Sequence, residues 1–310
     1  MPGRQCLDGL RMCIPRVRVG MEAAMHSCLD VQPTLLRSAL LERVGVPHAF
    51  TTRIGGVSTG VYGSLNFGSP GNLPDEQRDS AANVRANWEQ VMGRIGLSER
   101  ALVEVHQVHG AEVRAVHAGG PAHETPDGRD TCADALVTDD PARAIAVRVA
   151  DCCPVLIASR DGRTVAAVHA GWRGVVQAIV PATIRAMGES FAVRPRELCA
   201  AIGPCIGGGG SDAFEVGPEV AAEFVRVFGA GTGSVRGKRR DEHGVSKSII
   251  DMQLALREQL LSSGLTPDAI DTIGRCTATA VDEQGRPLFY SHRRDRGVTG
   301  RMAAIIGVAG

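Results

Sequence analysis

An α/β fold is what this sequence predicts, and three observations predict it. Short apolar runs rich in β-branched residues recur along the chain, each closed by glycine or proline. Segments with apolar residues at helical spacing lie between them. From about Pro33 the two kinds follow one another without an internal repeat, as a layered α/β arrangement requires.

Taken in order, residues 35–44 carry helical spacing. Residues 46–52 are short and apolar and break at Gly55-Gly56 and Gly60, which reads as a strand entering a glycine loop. Residues 81–95 predict a helix, with Val84, Trp88, Val91 and Ile95 on one face. Residues 101–108 read as a strand. Residues 144–149 and 155–158 are β-rich runs around Asp151-Cys152-Cys153-Pro154, and residues 164–168 are a further strand. Residues 175–187 predict a helix interrupted near Pro181. Residues 198–202 predict a buried strand, ended by Gly203-Pro204 and by four glycines at 207–210 that suggest a mobile rim. Residues 220–228 and 249–261 read as amphipathic helices, and 269–274 and 302–308 as closing strands. Low complexity is confined to the glycine run and a polar loop at 119–129.

Composition excludes several function classes. The chain has 310 residues, 44% hydrophobic and 22% charged, enough for one sizeable core. Its net charge is zero, so it carries neither a nucleic-acid footprint nor a polybasic membrane surface. No apolar run is long enough for a transmembrane helix. Nine cysteines, an odd number at irregular spacing, argue against a disulfide framework and fit a reducing cytoplasm. Residues 1–32 lack periodicity and the apolar stretch of a signal peptide. They are expected to be a poorly ordered extension, or an untranslated one with Met21 or Met25 as the start. Residues 33–310 are expected to form a single catalytic domain.

Three residues stand out as chemistry. They sit in His106-Gln-Val-His109-Gly110, Ala150-Asp-Cys152-Cys153-Pro154 and Val168-His169-Ala-Gly-Trp-Arg-Gly174. Two imidazoles and one thiolate form a borderline-soft donor set that suits Zn²⁺, with Cu²⁺ the alternative. Three protein ligands leave a coordination position open, as a catalytic site needs. The stretch from Cys152 to His169 is the length of a strand, a turn and a second strand, so a hairpin return can bring the pair together. Cys153 points to the opposite side of an extended segment and is a poor fourth ligand. Without metal, Cys152 and His169 make a thiol–imidazole pair able to attack a carbonyl. Arg53, Arg173 and Arg293 are candidates for holding an anionic group, and 171–174 leads into a helix N-terminus. Plainer readings stand beside these. His106 and His109 are then polar residues at a strand end, and Cys152 a buried inert thiol. Trp172 with Arg173 is a surface cation–π pair, and each arginine a surface ion pair. Asp151 fits an inert core poorly, because a buried carboxylate needs partners.

Several motifs in order carry a resemblance. They are Phe50-Thr-Thr-Arg53 with Gly55-Gly56-Val57-Ser58, Ser64-Leu-Asn66, His106-Gln-Val-His109-Gly110 and Ala133-Asp134-Ala135. Asp151-Cys152, His169-Ala-Gly-Trp-Arg-Gly174, Gly203-Pro-Cys-Ile206, Phe214-Glu-Val216, Ser291-His-Arg-Arg294 and Gly300-Arg301 complete the set. The chain from about Val46 onward resembles the laccase-domain or polyphenol oxidase family. Its members are also described as purine nucleoside phosphorylases and as the peptidoglycan editing factor. The resemblance implies a single-domain αββα layered sandwich with mixed sheets and one zinc held by His109, Cys152 and His169. His106 then lies beside the ligands or is incidental. It implies catalytic roles for Cys152, His109, His169 and Arg53, and substrate contacts from Asn66, Arg173 and Arg293. The chain departs from the family pattern at 67–75, and Phe214 stands where a tyrosine is common.

Four activities follow from the resemblance and the donor set. The first is phosphorolysis of adenosine, inosine and methylthioadenosine, with adenosine deamination as a side reaction. The His-x-Glu and Pro-Cys-x-x-Cys signature of zinc nucleobase deaminases is absent. The second is an amidase that removes L-Ser from UDP-MurNAc-L-Ser. The third is polyphenol oxidation; nine scattered histidines do not supply the several histidine-rich copper sites of a blue-copper oxidase. The fourth is a non-enzymatic zinc-dependent interaction domain. The expected partners are a nucleoside and phosphate, or a UDP-muramoyl amino acid, with no nucleic acid and no membrane. A monomer or small homo-oligomer is expected. Cys199, Cys205 and Cys276 are assigned no chemistry.

Overall fold

The computed structural model describes residues 32–310, apart from 72, 121–130 and 241–243. The expected extension at 1–32, with its candidate starts Met21 and Met25, lies outside the described residues except for Gln32, as does most of the polar loop at 119–129. In chain order the strands are β1 (Leu35–Leu36), β2 (His48–Thr51), β3 (Ala101–Val103), β4 (Val113–Val116), β5 (Ala135–Thr138), β6 (Arg143–Val149) and β7 (Cys153–Ser159). They continue with β8 (Val165–Ala170), β9 (Leu198–Ile202), β10 (Glu215–Val216), β11 (Val235–Arg240), β12 (Ser246–Ile250), β13 (Ile270–Thr272) and β14 (Met302–Gly307). The helices are α1 (Ala39–Val44), α2 (Ala81–Arg94), α3 (Trp172–Val176), α4 (Ile179–Phe191), α5 (Pro218–Phe228) and α6 (Met252–Ser262).

Two mixed sheets form the middle of the molecule. One has the order β1-β2-β14-β6-β3, the other β13-β9-β7-β8-β5-β4. A small antiparallel sheet, β10-β12-β11, stands apart. Strands β2, β5, β7, β8, β9 and β14 are buried on both faces, β6 nearly so, and the alternation along them shows which layer each face meets. On β6, Ile145 and Val147 join the core between the sheets, while Ala144 and Ala146 pack with Trp88, Val91 and Met92 of α2. On β7, Leu156 and Ala158 face the inter-sheet core, while Val155 and Ile157 pack with Ile179, Ile184 and Leu256 of α4 and α6. The order of layers is therefore helix, sheet, sheet, helix, which is the αββα sandwich expected.

Local chemistry sets the element boundaries. Ser80 starts α2 by accepting the Asn83 N–H, and Ser38 starts α1 by accepting that of Leu41. The helix expected over 249–261 divides. Residues to Ile250 belong to β12, and Asp251 then caps α6 by accepting the Leu254 N–H. The helix expected over 175–187 also divides, but at Ala178, which takes φ 63° between α3 and α4. Pro181 lies in the first turn of α4, where a missing N–H costs nothing. Of the four glycines at 207–210, Gly207 and Gly210 take φ of 77° and 80°, and the middle two are required by close approach. A Cβ on Gly208 would lie 2.3 Å from the Arg275 carbonyl oxygen, and one on Gly209 would lie 2.6 Å from that of Gly274.

Leu156 is wholly buried where the sheets meet. Leu156→Ala should cost about 2–5 kcal/mol, the range for leaving a cavity in a close-packed core. Urea unfolding measures it; a loss below about 0.5 kcal/mol would be that of a surface position and contradict the layer assignment.

Candidate metal centre

The β7–β8 hairpin brings the first two chemical residues together. Its register sets Pro154 opposite His169, so Cys152, just before the strand, lies at the same end. This is the hairpin return the spacing suggested. On the other side of β8, β5 pairs through Ala135 with Val168, which puts Asp134 beside His169. The His169 N–H donates to the Asp134 carbonyl at 2.7 Å and continues that ladder.

The Asp134 side chain, fully buried, is the anchor of the site. It accepts backbone N–H groups from Val108 at 3.2 Å, His109 at 2.9 Å and Gly110 at 2.6 Å. Those three amides lie in a turn where His109 takes φ 60°, a left-handed conformation uncommon outside glycine. Asp134 Oδ1 also lies 2.7 Å from His169 Nδ1. A carboxylate only accepts, so Nδ1 carries the proton and Nε2 is the ring's remaining donor atom. Burial raises the Asp134 pKa, but the bonds from His169, Gly110 and His109 outweigh it and hold the group below its ordinary value.

One donor atom from each of His109, Cys152 and His169 lies within 4.8 Å of the others. The two imidazoles meet edge to face with centroids 4.9 Å apart. Burial raises the Cys152 pKa; the His169 charge and hydrogen bonds from both histidines reverse this and bring it to about 6. Burial lowers the His169 pKa, and the thiolate and Asp134 reverse that, taking it to about 9. The pair is thus a thiolate beside an imidazolium. A soft thiolate and two imidazoles within reach of one another fit a divalent zinc-type ion. The orientation of His169 through a carboxylate is the support such ligands have. Gly171 leaves room for the cluster: a Cβ there would lie 2.9 Å from His109 Cδ2 and 3.2 Å from Cys152 Sγ.

Asp151 aims the thiol. It takes φ 81° and is held by Thr277 Oγ1 at 2.6 Å, Ser291 Oγ at 3.0 Å and the Arg293 N–H at 2.7 Å. These are the partners its burial required. Cys153 turns away into the core behind the sheet, its thiol 3.5 Å from the Gly203 carbonyl oxygen.

The donor set lines a cleft of about 500 Å³ together with Ile206, Phe214, His106, His292, Arg148, Arg293 and Arg301. Of the arginines singled out from sequence, Arg293 lines the cleft, 5.8 Å over the Phe214 ring. Arg173 lies over Trp172, its Cζ 4.6 Å from the ring centroid. Arg53 is not among the lining residues. Its Nε and Nη2 donate to the Gly63 carbonyl at 2.9 and 2.7 Å, with Tyr290 beneath its guanidinium. Asn66 is buried, accepting the Arg301 N–H at 2.7 Å and donating to Asp79 at 2.8 Å. Sequence reasoning gave no role to Asp134, Arg148 or Arg301. A carboxylate heading the apolar run Ala135–Thr138 was the available signal for the first.

Asp134→Asn should lower metal affinity about 10–100-fold, read from metal content after dialysis against a graded chelator; unchanged retention would reject the anchoring role. In metal-free protein the Cys152 thiolate predominates above about pH 6. Alkylation by iodoacetamide, with Cys152→Ala as background, should therefore rise through about pH 6 and level off. A rate still climbing through pH 9 would mean an unperturbed thiol.

The chain is similar to known proteins over most of its length. The family model described as multi-copper polyphenol oxidoreductase laccase matches residues 47–309. A purine nucleoside phosphorylase of Deinococcus radiodurans is 36% identical over 265 residues, covering 86% of this chain and 90% of that protein. Purine nucleoside phosphorylase YfiH of Escherichia coli is 35% identical over 263 residues, covering 84% and 93%. The crystal structure of Neisseria meningitidis protein NMB0706 superposes with a TM-score of 0.69 at 33% identity, covering 90% of this chain and 100% of that one. That of a Bacillus licheniformis hypothetical protein, YfiH, gives 0.71 at 27% identity, covering 85% and 92%. This chain belongs to the multi-copper polyphenol oxidoreductase laccase family, and is similar to relatives that bear the name purine nucleoside phosphorylase.

Proposed function

We propose that the protein is a zinc-dependent purine nucleoside phosphorylase acting on adenosine, inosine and methylthioadenosine, with adenosine deamination as a side reaction. The observation that carries this reading is the His109–Cys152–His169 cluster in a cleft with both an aromatic and a cationic lining. About 500 Å³ is within the range of small-molecule sites. Phe214 and Ile206 offer apolar surface to a purine. In the reaction a phosphate oxygen bonds to C1′, the C1′–N9 bond breaks, and the base leaves with its electron pair and takes up a proton. His106 and His292 line the same cleft outside the donor set and are the groups there able to pass that proton to the base nitrogen. His109, Cys152 and His169 would hold the zinc, which when bound supplies Lewis-acid polarisation of an oxygen or nitrogen. Asp134 keeps the His169 ring fixed throughout.

Among the described residues only one cluster of three or more metal-type donors occurs. That supports a mononuclear site rather than the several copper sites of a laccase. A second reading rests on a separate observation. Cys152, His169 and Asp134 stand in the order nucleophile, base and orienting carboxylate. Such a trio suits amide hydrolysis, of which removal of L-Ser from UDP-MurNAc-L-Ser is the candidate. We place the protein in the cytoplasm, and no helix among the described residues is long and apolar enough to cross a membrane.

Zinc-loaded protein incubated with adenosine and phosphate should yield adenine and ribose 1-phosphate by mass spectrometry, and Cys152→Ala should yield neither. Inosine as sole product would make deamination the main reaction. No turnover of nucleoside, with release of serine from UDP-MurNAc-L-Ser, would replace the first reading by the second.

A further inference from the structure

The cleft has a second feature that the donor set does not use, two guanidinium groups on one wall. Arg148 lies on β6 and Arg301 immediately precedes β14, adjacent strands of one sheet in which Ala303 is the partner of Arg148 and Met302 that of Val149. Both line the cleft with His109, Cys152 and His169. Like charges brought so close repel. Burial and the neighbouring Arg148 together push the Arg301 pKa below its ordinary value.

Each arginine is held in place. Arg148 pairs through Nε with Glu104 at 3.0 Å. The Gln107 side chain clasps its backbone, donating to the Arg148 carbonyl and accepting its N–H, each at 2.8 Å. Gly68 makes room for its head group, since a Cβ there would lie 2.7 Å from Arg148 Nη1. The Arg301 N–H donates to Asn66 Oδ1 at 2.7 Å, and its Nη1 donates to the carbonyls of Thr299 and Gly300, both at 3.0 Å. Among the described residues, Arg301 makes no ion pair with a carboxylate, and neither its Nε nor its Nη2 meets an acceptor. That edge is a planar pair of donors, the shape that grips two oxygens of a tetrahedral anion. Ser69, on the same lining, accepts the Asp79 N–H at 3.0 Å, so its hydroxyl proton remains to be given. A pinned guanidinium without a carboxylate partner, beside a second one and with a free edge in a cleft, is suited to take an anion.

We propose that Arg301 and Arg148, with the Ser69 hydroxyl, form the phosphate subsite of the cleft. Inorganic phosphate is the ligand, bound on the five-stranded-sheet wall while Phe214 and Ile206 on the opposite elements receive the base. The assignment rests on the phosphorolysis reading for its ligand, and on the unpartnered Arg301 fork for its place. It replaces Arg53, which lies outside the cleft lining with its Nε and Nη2 committed to Gly63, as the group that holds phosphate.

The test separates binding from turnover. Binding of inorganic phosphate to the zinc-loaded protein is measured by titration calorimetry, alongside Arg301→Met, Arg301→Lys and Arg148→Met. Steady-state KM values are measured for phosphate and for nucleoside. Arg301→Met should weaken phosphate binding and raise the phosphate KM at least tenfold. Arg301→Lys should recover part of that, and the nucleoside KM should move less than twofold. A phosphate affinity and KM unchanged in Arg301→Met, with turnover intact, would overturn the subsite and leave phosphorolysis standing. Arg301-dependent phosphate binding without nucleoside turnover would keep the subsite and remove the phosphorolysis reading. Uridine diphosphate bound tenfold more tightly than phosphate, with equal dependence on Arg301, would assign the fork to a diphosphate ester and overturn the assignment to free phosphate.

Discussion

The Asp134 carboxylate is the constraint on which the site depends. It meets three consecutive amides of the 108–110 turn and the Nδ1 of His169. One buried group therefore fixes the backbone that carries one histidine and the ring orientation of the other. The arrangement is possible because Asp134 heads β5, whose antiparallel pairing with β8 sets it beside His169. An ionised carboxylate inside a protein needs several donors to replace its water. Here the donors that stabilise it are the elements it must align, so satisfying the charge and building the site are one requirement. Loss of the carboxylate would remove all four bonds at once and loosen both histidines.

Cys152 is governed from the opposite direction, by the end of the chain. Asp151 holds a left-handed conformation against the contacts of Thr277, Ser291 and the Arg293 amide. Sites that store backbone strain need surroundings that over-determine it. The segment that supplies these contacts also brings Arg293 to the cleft and leads on to Arg301 and β14. β14 then pairs between β2 and β6 in the centre of its sheet. The last part of the chain thus closes the sandwich, orients the cysteine and delivers two of the cleft arginines.

Much of this was legible in the sequence, for identifiable reasons. Strands β6, β7 and β8 are buried on both faces, so they appear as continuous apolar runs, and the Cys152-to-His169 interval had hairpin length. The cluster itself was visible because three glycine-punctuated segments, each with a plain reading by itself, together supply a metal-type donor set. What failed to show was whatever depends on a partner distant in sequence. β12 and α6 looked like one amphipathic helix, because apolar spacing does not reveal that Asp251 is a cap. The α3–α4 break was expected at a proline, but the proline is harmless in a first turn and an alanine takes the left-handed turn instead. The anion-holding candidates could not be ranked from sequence, because an arginine's role depends on which acceptors it meets. Arg53 meets a carbonyl and Arg301 leaves one edge unfilled.

The charge balance explains how one constellation supports two chemistries. The Cys152 thiolate at the cleft floor and the Asp134 carboxylate buried behind His169 place two negative charges about the site. A divalent ion among the three donors neutralises both, and the histidines are then neutral ligands with Asp134 behind one of them. Without the ion, the His169 imidazolium takes up part of the same charge. The thiolate then becomes a free nucleophile with an oriented acid beside it. Neither state needs any side chain to move far, since the donors are already mutually within 4.8 Å. Ligand choice therefore falls to the walls: the apolar face of Phe214 and Ile206 on one side, and the guanidinium fork on the other. A purine and a phosphate would use both walls at once across the donor set. The base and diphosphate of a UDP-linked amide offer the same two chemistries, so the walls select for an aromatic base beside an anion rather than for one bond to be broken.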